Sequence, residues 1–384
     1  MNKISIFSFF SGCGLLDLGF EDTGYDIVYV NEYFQPFIYA YKYSRLKMGY
    51  KKPIYGYSDN SIVNLLSQHE ISILSNNINL ERIKGNIVGF IGGPPCPDFS
   101  VGGRNRGKDG ENGKLTETYI DLTCKLKPDF LLFENVKGLW NTKKHREFYE
   151  KVKTKLYDAG YVIMEKLVNA IEYGVPQDRD RIIMFAIQKH FLSNSNDINN
   201  FNWNIDKKFD KEEILQLNWP TINPFQTNIS KPKDVPFELT VKYWFDKNST
   251  YNHQNSQDQF KPKAGLPKFQ SIPEGDVSKK SYKRLHRYRY SPTAAYGNNE
   301  VHLHPTEARR ISVAEALAIQ SVPACFELPL DMTLTNKFKT VGNGVPYLLS
   351  RGIANSIKVF INGLNPQFIR SKDDINSFQY YKCC

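Results

Sequence analysis

Apolar runs of strand length alternate with helically spaced apolar residues along the first half of the chain. Residues 4–10 and 87–91 are almost continuous apolar runs, which is typical of strands buried on both faces of a parallel sheet. Helical spacing follows the first run and recurs over residues 35–45 and 116–127. This alternation predicts an α/β fold with a largely parallel sheet.

The alternation extends to residue 187 and then stops, which predicts a domain over residues 1–187. Four further strands are predicted over residues 25–30, 128–133, 161–169 and 182–187. One further helix is predicted over residues 148–159. Residues 188–306 are rich in Asn, Lys, Pro, Tyr and Phe, with short extended pieces between turns. Such a change in composition predicts a second, smaller domain that is mostly β or irregular.

Helical spacing returns over residues 307–384, which we expect to pack back onto the first domain. Ser312 and Glu315 have the spacing of a capping box at a helix start. A last helix is predicted over residues 347–360, and the chain from residue 365 onwards is polar.

A glycine-rich turn joins the first strand to the first helix. Such a turn lets a nucleotide-like ligand approach the backbone beside a helix N-terminus. Glu32 ends the second strand, and an acidic residue about 20 residues after the turn can accept hydrogen bonds from ribose hydroxyls. An ordinary turn and a helix-capping carboxylate are the alternatives. The residues of the turn are Phe10, Ser11, Gly12, Cys13, Gly14 and Leu15.

Cys96 is the residue around which the remaining chemistry is organised. The apolar run before it stops at Gly92-Gly93, and Pro94 and Pro95 then place the thiol on a stiff connection at the sheet edge. A thiol there is a candidate nucleophile, and a cysteine that merely packs is the alternative. The next residues, 101–114, are rich in glycine and basic residues, which favours a lid over a disordered surface loop.

Two further sites lie at predicted strand ends. Glu134 follows a strand, at the edge where open α/β sheets bind ligands. Arg179 and Arg181 are two residues apart, so on an extended segment both side chains point to one face. The alternative for the arginines is a solvated surface pair beside Asp178 and Asp180.

Composition narrows the class of partner. The 384 residues include 50 Lys and Arg against 40 Asp and Glu, and the net charge of +10 favours a polyanionic partner. Residues 279–289 combine six basic residues with aromatic ones and no acid, as expected of a surface that meets phosphates; a solvated basic face is the alternative.

The cysteines and the hydrophobic runs exclude other classes. Six cysteines without a C-x-x-C pair indicate neither a zinc site nor a disulfide framework. His302 and His304 alternate, but a third ligand is not evident, so we expect no metal. Without a signal peptide or a long apolar run, the protein is expected to be soluble and cytoplasmic.

The order of these segments resembles the DNA (cytosine-5) methyltransferase family of the bacterial restriction-modification type. The resemblance spans nearly the whole chain and rests on six ordered motifs around a variable block. Two departures are Leu15, where many members have glycine, and a long segment between Glu32 and Cys96. The motifs are Phe10-Ser-Gly-Cys-Gly14, Gly93-Pro-Pro-Cys-Pro97, Glu134-Asn-Val136, Gln177-x-Arg179-x-Arg181, Arg309-Arg310 with Glu315-Ala316 and Ile319-Gln320, and Gly342-Asn-Gly-Val-Pro346.

The resemblance implies a Rossmann-like S-adenosylmethionine-dependent domain with a smaller target-recognition domain. Cys96 would attack carbon 6 of a flipped-out cytosine, protonated Glu134 would bond ring nitrogen 3, and Arg181, paired with Arg179, would hold the base. Phe10 would lie against the adenine, Glu32 on the ribose, and Asn343 would close the cofactor site. The implied cofactor residues are Phe10, Ser11, Gly12, Cys13, Gly14, Leu15, Glu32, Asp59 (on the adenine amino group), Pro94 and Asn343.

The implied partner is double-stranded DNA, with a cognate restriction endonuclease possible, and the protein is expected to be a monomer. Transfer RNA is the first alternative substrate, although the large basic block between 188 and 306 favours DNA. A catalytically inactive DNA-binding relative is a second alternative, and a dinucleotide oxidoreductase is a third. The presence of Cys96 and Glu134 argues against both of these.

Overall fold

The centre of the fold is a β-sheet to which every predicted strand contributes. The computed structural model describes residues 3–95, 111–141, 143–294, 296 and 300–364. Within these residues the sheet has seven strands in the order β3-β2-β1-β4-β5-β7-β6. The strands are β1 Ile4–Phe9, β2 Asp26–Asn31, β3 Tyr57–Ser58, β4 Ile87–Gly92, β5 Phe130–Val136, β6 Tyr161–Asn169 and β7 Asp180–Gln188.

Helices connect and cover the strands. Helices α1 to α6 lie among the strands, α7 to α9 lie in the segment that follows β7, and α10 to α12 close the chain. Their bounds are α1 Leu15–Asp22, α2 Gln35–Lys47, α3 Gln68–Ile83, α4 Glu111–Leu126, α5 Gly138–Asn141, α6 Lys143–Asp158, α7 Lys211–Gln216, α8 Val241–Lys247, α9 Leu266–Ser271, α10 Val313–Ile319, α11 Leu334–Asn343 and α12 Tyr347–Gly363.

The direction of the strands brings the predicted motifs to one edge. Strands β1 to β5 are parallel, so the residues after β1, β2, β4 and β5 meet at the carboxyl edge. Strand β7 is antiparallel to β5 and therefore begins at that same edge, where Arg181 is the register partner of Val136. The glycine turn, Glu32, Gly93, Glu134 and the arginine pair consequently share one edge.

Both faces of the sheet are buried, as the continuous apolar runs predict. Ile4 and Ile6 of β1 pack on one face with Ile353 of α12, in a cluster that also includes residues of α1. Phe7 and Phe9 point to the other face, where α3, α4 and α6 pack. The side-chain period of two along β1 therefore fills two separate cores.

The segment after β7 is irregular. Its described residues include short helices, and their extended pieces form isolated β-bridges such as Asn223–Glu274 and Arg284–Leu303 instead of a sheet. Trp244 and Leu285 from this segment share a hydrophobic cluster with Leu15 and with residues of α10 and α11. The segment is thus anchored on the returning C-terminal helices.

The C-terminal helices follow the sequence pattern. The predicted capping box is confirmed: the Ser312 hydroxyl accepts from Glu315 N at 3.2 Å, and the Glu315 carboxylate accepts from Ser312 N at 2.7 Å. Residues 334–343 form a separate helix, since Gly344 and Pro346 interrupt the helical backbone before α12. None of the described helices is both long and apolar enough to cross a membrane.

Candidate active site

A short, buried ion pair at the carboxyl edge joins Glu134 to Arg181. Glu134 lies near the end of β5 and Arg181 near the start of β7, and Arg181 Nε donates to Glu134 Oε1 at 2.7 Å. Both residues are about nine-tenths buried. Because β5 and β7 are hydrogen-bonded to each other, the backbone beneath the pair is fixed, and only the two side chains can adjust.

Gly93 lies beside the other carboxylate oxygen of Glu134. A Cβ on residue 93 would lie 2.5 Å from Glu134 Oε2, closer than real Cβ contacts allow. The glycine therefore permits the close approach of the strand β4 end and the carboxylate. Pro94 and Pro95 follow directly, with Pro94 buried and Pro95 half-buried.

The candidate nucleophile Cys96 and the basic stretch up to residue 110, which includes most of the predicted lid, lie outside the described residues. Their roles therefore stay predictions. The described chain reaches Pro95, which is two residues past Gly93.

Arg179 does not share the position of Arg181. Its guanidinium is buried and donates to backbone carbonyls of Ala294 (2.9 Å), Gly342 (2.8 Å) and Gly344 (3.1 Å). Burial, with the nearby positive charge of Arg181, lowers the pKa of Arg179 well below its ordinary value. The interpretation as a solvated surface pair is wrong, because both arginines are buried among protein groups.

The glycine turn has the backbone shape that its sequence predicts. Phe10, Gly12 and Gly14 have positive φ angles of 52°, 59° and 85°, which bend the chain sharply between β1 and α1. The ring of Phe10 is partly exposed and contacts Tyr119 edge-on at 5.8 Å between centroids. The Ser11 hydroxyl is buried and has no partner among the described residues. The turn thus combines a sharp backbone bend with one buried hydroxyl that the described residues leave unsatisfied.

Glu32 contacts the turn directly. Its Oε2 accepts from Gly12 N at 2.9 Å and its Oε1 accepts from Phe34 N at 2.8 Å. Burial raises the pKa of Glu32, although both backbone donors act in the opposite direction. Glu32 does not cap a free N–H of α2, because its Oε1 bonds the residue before the helix, and its Oε2 holds the glycine turn.

Cys13 and Leu15 point into the protein. Cys13 is 1% exposed, and burial raises its pKa to about 11. Leu15 is equally buried, and a Cβ on Gly344 would lie 2.6 Å from its Cδ1. Leucine at position 15 therefore packs against the loop between α11 and α12, so only the backbone of these two residues is available to a ligand.

Asp59 and Asn343 are exposed. Asp59 follows β3, and its carboxylate accepts a hydrogen bond from Gln35 at the start of α2. Asn343 ends α11 between the two glycines whose carbonyls Arg179 bonds. Tyr33, which the motifs of the sequence do not single out, directly follows Glu32 and is 68% exposed. The sequence signal that could have identified Tyr33 as a candidate cofactor-site residue is an aromatic residue immediately after the acidic residue that ends β2.

The basic segment 279–289 divides into two groups. Arg284 is buried and donates to carbonyls of Ile272, Phe269 and His304, and Arg287 forms an ion pair with Glu274 at 2.7 Å. The alternative of a uniformly solvated basic face is therefore wrong for these arginines. The basic side chains of the segment that remain at least partly exposed include Lys279, Lys280, Lys283 and Arg289.

Ser291 joins this segment to the edge of the sheet. It forms a β-bridge with Gln177, and its carbonyl accepts from Asp178 N at 2.9 Å. The basic segment therefore leads directly to the strand that carries Arg181. Among the described residues, no three His, Cys, Asp or Glu side chains are grouped as metal ligands.

Comparison with known proteins identifies similar chains over nearly the full length. A family model described as C-5 cytosine-specific DNA methylase matches residues 4–359. The Type II methyltransferase M.NmeDI of Neisseria meningitidis serogroup C is 56% identical over 97% of this chain and 87% of its own length. The Type II methyltransferase M.FnuDI of Fusobacterium nucleatum is 30% identical over 92% of this chain and 94% of its own length.

Solved structures show the same fold at low sequence identity. A candidate DNA modification methyltransferase encoded within a prophage (E. coli) superimposes with a TM-score of 0.64 at 22% identity, over 94% of this chain and all of that chain. The Dnmt2 methyltransferase of S. pombe has a TM-score of 0.56 at 13% identity, over 94% of this chain and 99% of that chain. The sheet described above is therefore that of methyltransferases with the S-adenosylmethionine-dependent fold.

Proposed function

This chain belongs to the C-5 cytosine-specific DNA methylase family and is a DNA cytosine-5 methyltransferase of the Type II kind, and from that premise we propose how its residues divide the reaction. Cys96 is the nucleophile, Glu134 and Arg181 hold the target base, and the glycine turn with Glu32 and Asn343 holds S-adenosylmethionine. The observation that supports this division most directly is the buried Glu134–Arg181 pair. It lies beside Gly93, and Gly93 is three residues before Cys96 in the sequence.

The residues at the glycine turn fit S-adenosylmethionine. Gly12 and Gly14 have positive φ angles that bend the turn sharply, the buried Ser11 hydroxyl lacks a protein partner among the described residues, and Glu32 offers a carboxylate at the end of β2. Carboxylates in this position suit the two hydroxyls of a ribose. When bound, the cofactor supplies an electrophilic methyl group. Phe10, the backbone of Cys13 and Leu15, Pro94 and the exposed Asp59 and Asn343 complete the proposed site.

Cytosine must leave the duplex before these residues can reach it. The thiolate of Cys96 then forms a bond to carbon 6, which breaks the 5,6 double bond and gives carbon 5 the electron density needed to accept the methyl group. Loss of the proton from carbon 5 and of the thiol from carbon 6 restores the ring. The protein's part is to position the thiol, to exclude water and to stabilise charge on the ring.

Glu134 and Arg181 stabilise that charge. Glu134 holds a proton at ring nitrogen 3, so electron density moves away from carbon 6 and the thiolate attacks more easily. The carboxylate has one oxygen on Arg181 and the other facing Gly93, so an incoming base meets a group that is already oriented. Arg181 keeps this orientation and offers its remaining N–H groups to the base.

Arg179 has a different role from the one its motif implies. Its buried guanidinium donates to the two carbonyls that flank Asn343. This supports a role in positioning Asn343 at the cofactor site instead of a contact with the base. Its neighbour Gln177 extends the same network: its Nε2 donates to Gln320 Oε1 at 3.2 Å, and Gln320 Nε2 donates to Val341 O at 2.7 Å.

Residues 188–306 are proposed to select the DNA sequence, with residues 1–187 as the catalytic domain and 307–384 packed back onto it. The base pocket meets only the flipped cytosine and cannot read its neighbours, so another surface has to do so. Ser291, two residues after the basic segment 279–289, bridges to Gln177 just before the strand that carries Arg181, which suits contact of this segment with DNA phosphates near the target. Acting as a monomer in the cytoplasm, the protein would protect host DNA from a cognate restriction endonuclease.

Trapping of the reaction on 5-fluorocytosine tests the mechanism. Fluorine at carbon 5 cannot leave as a proton, so a duplex carrying it at the target should be methylated and stay bound through Cys96, in the presence of S-adenosylmethionine. Bisulfite sequencing of DNA from a host that expresses the protein first gives the target sequence. Peptide mapping by mass spectrometry then locates the adduct. An adduct on another cysteine, or one that persists in Cys96→Ser, would overturn the proposal.

A further inference from the structure

A buried cluster of charged side chains lies directly beneath the glycine turn. Arg45 of α2 is 2% exposed, yet its Nη2 donates to the carbonyl of Gly14 at 2.6 Å and its Nε lies 2.7 Å from Glu21 Oε2. Asp17 completes the cluster, since its two oxygens accept from Ser8 at 2.8 Å and from Tyr41 at 2.9 Å. Burial of charged groups costs free energy even when they are paired, so stabilisation of the fold alone does not explain this cluster.

The cluster is shaped around Gly14. A Cβ at this residue would lie 2.6 Å from the ring of Tyr41 and 2.7 Å from Arg45 Nη2. The guanidinium itself stacks on the Tyr41 ring, with 4.5 Å between the carbon and the ring centroid. The side chains of α2 therefore occupy the space that a side chain on residue 14 would need. Gly14 also has a φ of +85°, which favours glycine at this position.

Two side chains bond to the backbone of the turn among the described residues, and both come from the β2–α2 unit. Glu32 accepts from Gly12 N, and Arg45 donates to Gly14 O. The turn is thus held at both ends. Glu32 Oε2 is engaged with Gly12 N, whereas Arg45, which is 2% exposed, reaches Gly14 O from the buried side of the turn.

We infer that Arg45 is a positioning residue that fixes the glycine turn in the conformation that binds S-adenosylmethionine. This inference rests on the proposed cofactor site. Its physical basis is preorganisation: a turn already held in its bound shape loses less conformational freedom on binding. An alternative role, in which the ion pair only joins α1 to α2, requires the Glu21 contact but not the bond to Gly14.

The double variant Arg45→Met with Glu21→Gln separates these roles. It removes the bond to Gly14 and both charges of the pair, so neither charge of that pair is left buried without its partner. Glu21→Gln alone removes the ion pair and keeps the Gly14 bond. A matched control is Arg82→Met with Asp129→Asn, because that buried pair, at 2.9 Å, joins the end of α3 to the residue before β5, at the opposite edge of the sheet.

Isothermal titration of the full-length proteins with S-adenosylmethionine gives the dissociation constants. The Arg45→Met/Glu21→Gln variant should bind about tenfold more weakly, as expected for the loss of one hydrogen bond from a charged donor, while Glu21→Gln and the control pair stay within about twofold of the unaltered protein. Affinity for the target duplex, measured by fluorescence anisotropy, should be unchanged in all three. A structural role alone would not separate the cofactor from the DNA in this way.

Equal affinity for S-adenosylmethionine in the double variant and in Glu21→Gln would overturn the inference. If the double variant does not fold, Arg45→Lys serves instead, since lysine keeps the charge but has a single nitrogen and cannot serve Glu21 and Gly14 in the same way. Unchanged cofactor affinity in Arg45→Lys would then overturn it. Absence of cofactor binding by the unaltered protein would overturn the proposed function as well, so the two failures are distinguishable.

Discussion

Gly93 and Glu134 approach each other so closely that a methyl group on residue 93 would lie 2.5 Å from the carboxylate oxygen Oε2. The contact is with the end of a flexible side chain, so the chain can accommodate alanine by moving the carboxylate. The cost therefore falls on the position of Glu134 and not on the fold.

Gly93→Ala should consequently damage catalysis more than stability. A displacement of about 1 Å at a reacting group can cost about 100-fold in rate, so we expect kcat to fall by about that factor. The free energy of unfolding should change by less than about 1 kcal/mol. Single-turnover methylation and thermal unfolding measure the two quantities. Gly363→Ala, in the open last turn of α12, is the control and should leave both unchanged.

Arg179→Met should act on the cofactor side of the site. The buried guanidinium donates to three carbonyls, and leaving these acceptors unsatisfied should cost about 3 kcal/mol of unfolding free energy. Because two of those carbonyls flank Asn343, the KM for S-adenosylmethionine should rise while the KM for DNA changes little. A variant that retained cofactor affinity and lost DNA affinity would instead assign Arg179 to the base, as its motif suggests.

Lys279 and Lys283 should contribute to the salt dependence of DNA binding. Replacement of both by glutamine should reduce the slope of log affinity against log salt by about 0.9 for each phosphate that a lysine no longer neutralises. Lys3→Gln is the control, since Lys3 precedes β1 at the opposite edge of the sheet and is exposed. An unchanged slope in the double variant would remove these lysines from the DNA surface. Fluorescence anisotropy over a salt series supplies the data.

Cys13 and Cys124 should resist alkylation at pH 8. Burial raises the pKa of each thiol to about 11, so each stays protonated until the pH rises towards that value. At pH 8 a thiol with such a pKa is about 0.1% thiolate, whereas an unperturbed cysteine is about a quarter thiolate. Timed labelling with iodoacetamide and mass spectrometry of the peptides gives the rates. Labelling of Cys13 as fast as exposed Cys325 would contradict the inward orientation of the Cys13 thiol at the turn.

Local pattern was sufficient for the elements and for residues at strand ends. The predicted strand over residues 161–169 coincides with β6, and Glu134 lies near the end of β5, which continues to Val136 instead of stopping at residue 133. Both depend on side-chain period and on the direction of neighbouring strands. Both properties can be predicted from a short stretch of sequence.

Long-range partners could not be predicted in the same way. Arg284 lies in a stretch with the composition of a phosphate-binding surface, yet it is buried on carbonyls up to 23 residues away. Arg45 belongs to a polar-looking helix, and its contact with Gly14 spans 31 residues. A basic residue has the same local signature whether its partner is a phosphate or a distant carbonyl, so only the folded chain separates the two.

The antiparallel course of β7 limits how the enzyme could be redesigned. Glu134 and Arg181 belong to strands that are hydrogen-bonded to each other inside the sheet, and β7 is covered on its other side by β6. Loop grafting, which is the usual route to altered substrate choice, therefore leaves this pair untouched. An engineer could vary the sequence context of methylation by exchanging surface segments, but acceptance of a base other than cytosine would require coordinated changes inside β5 and β7.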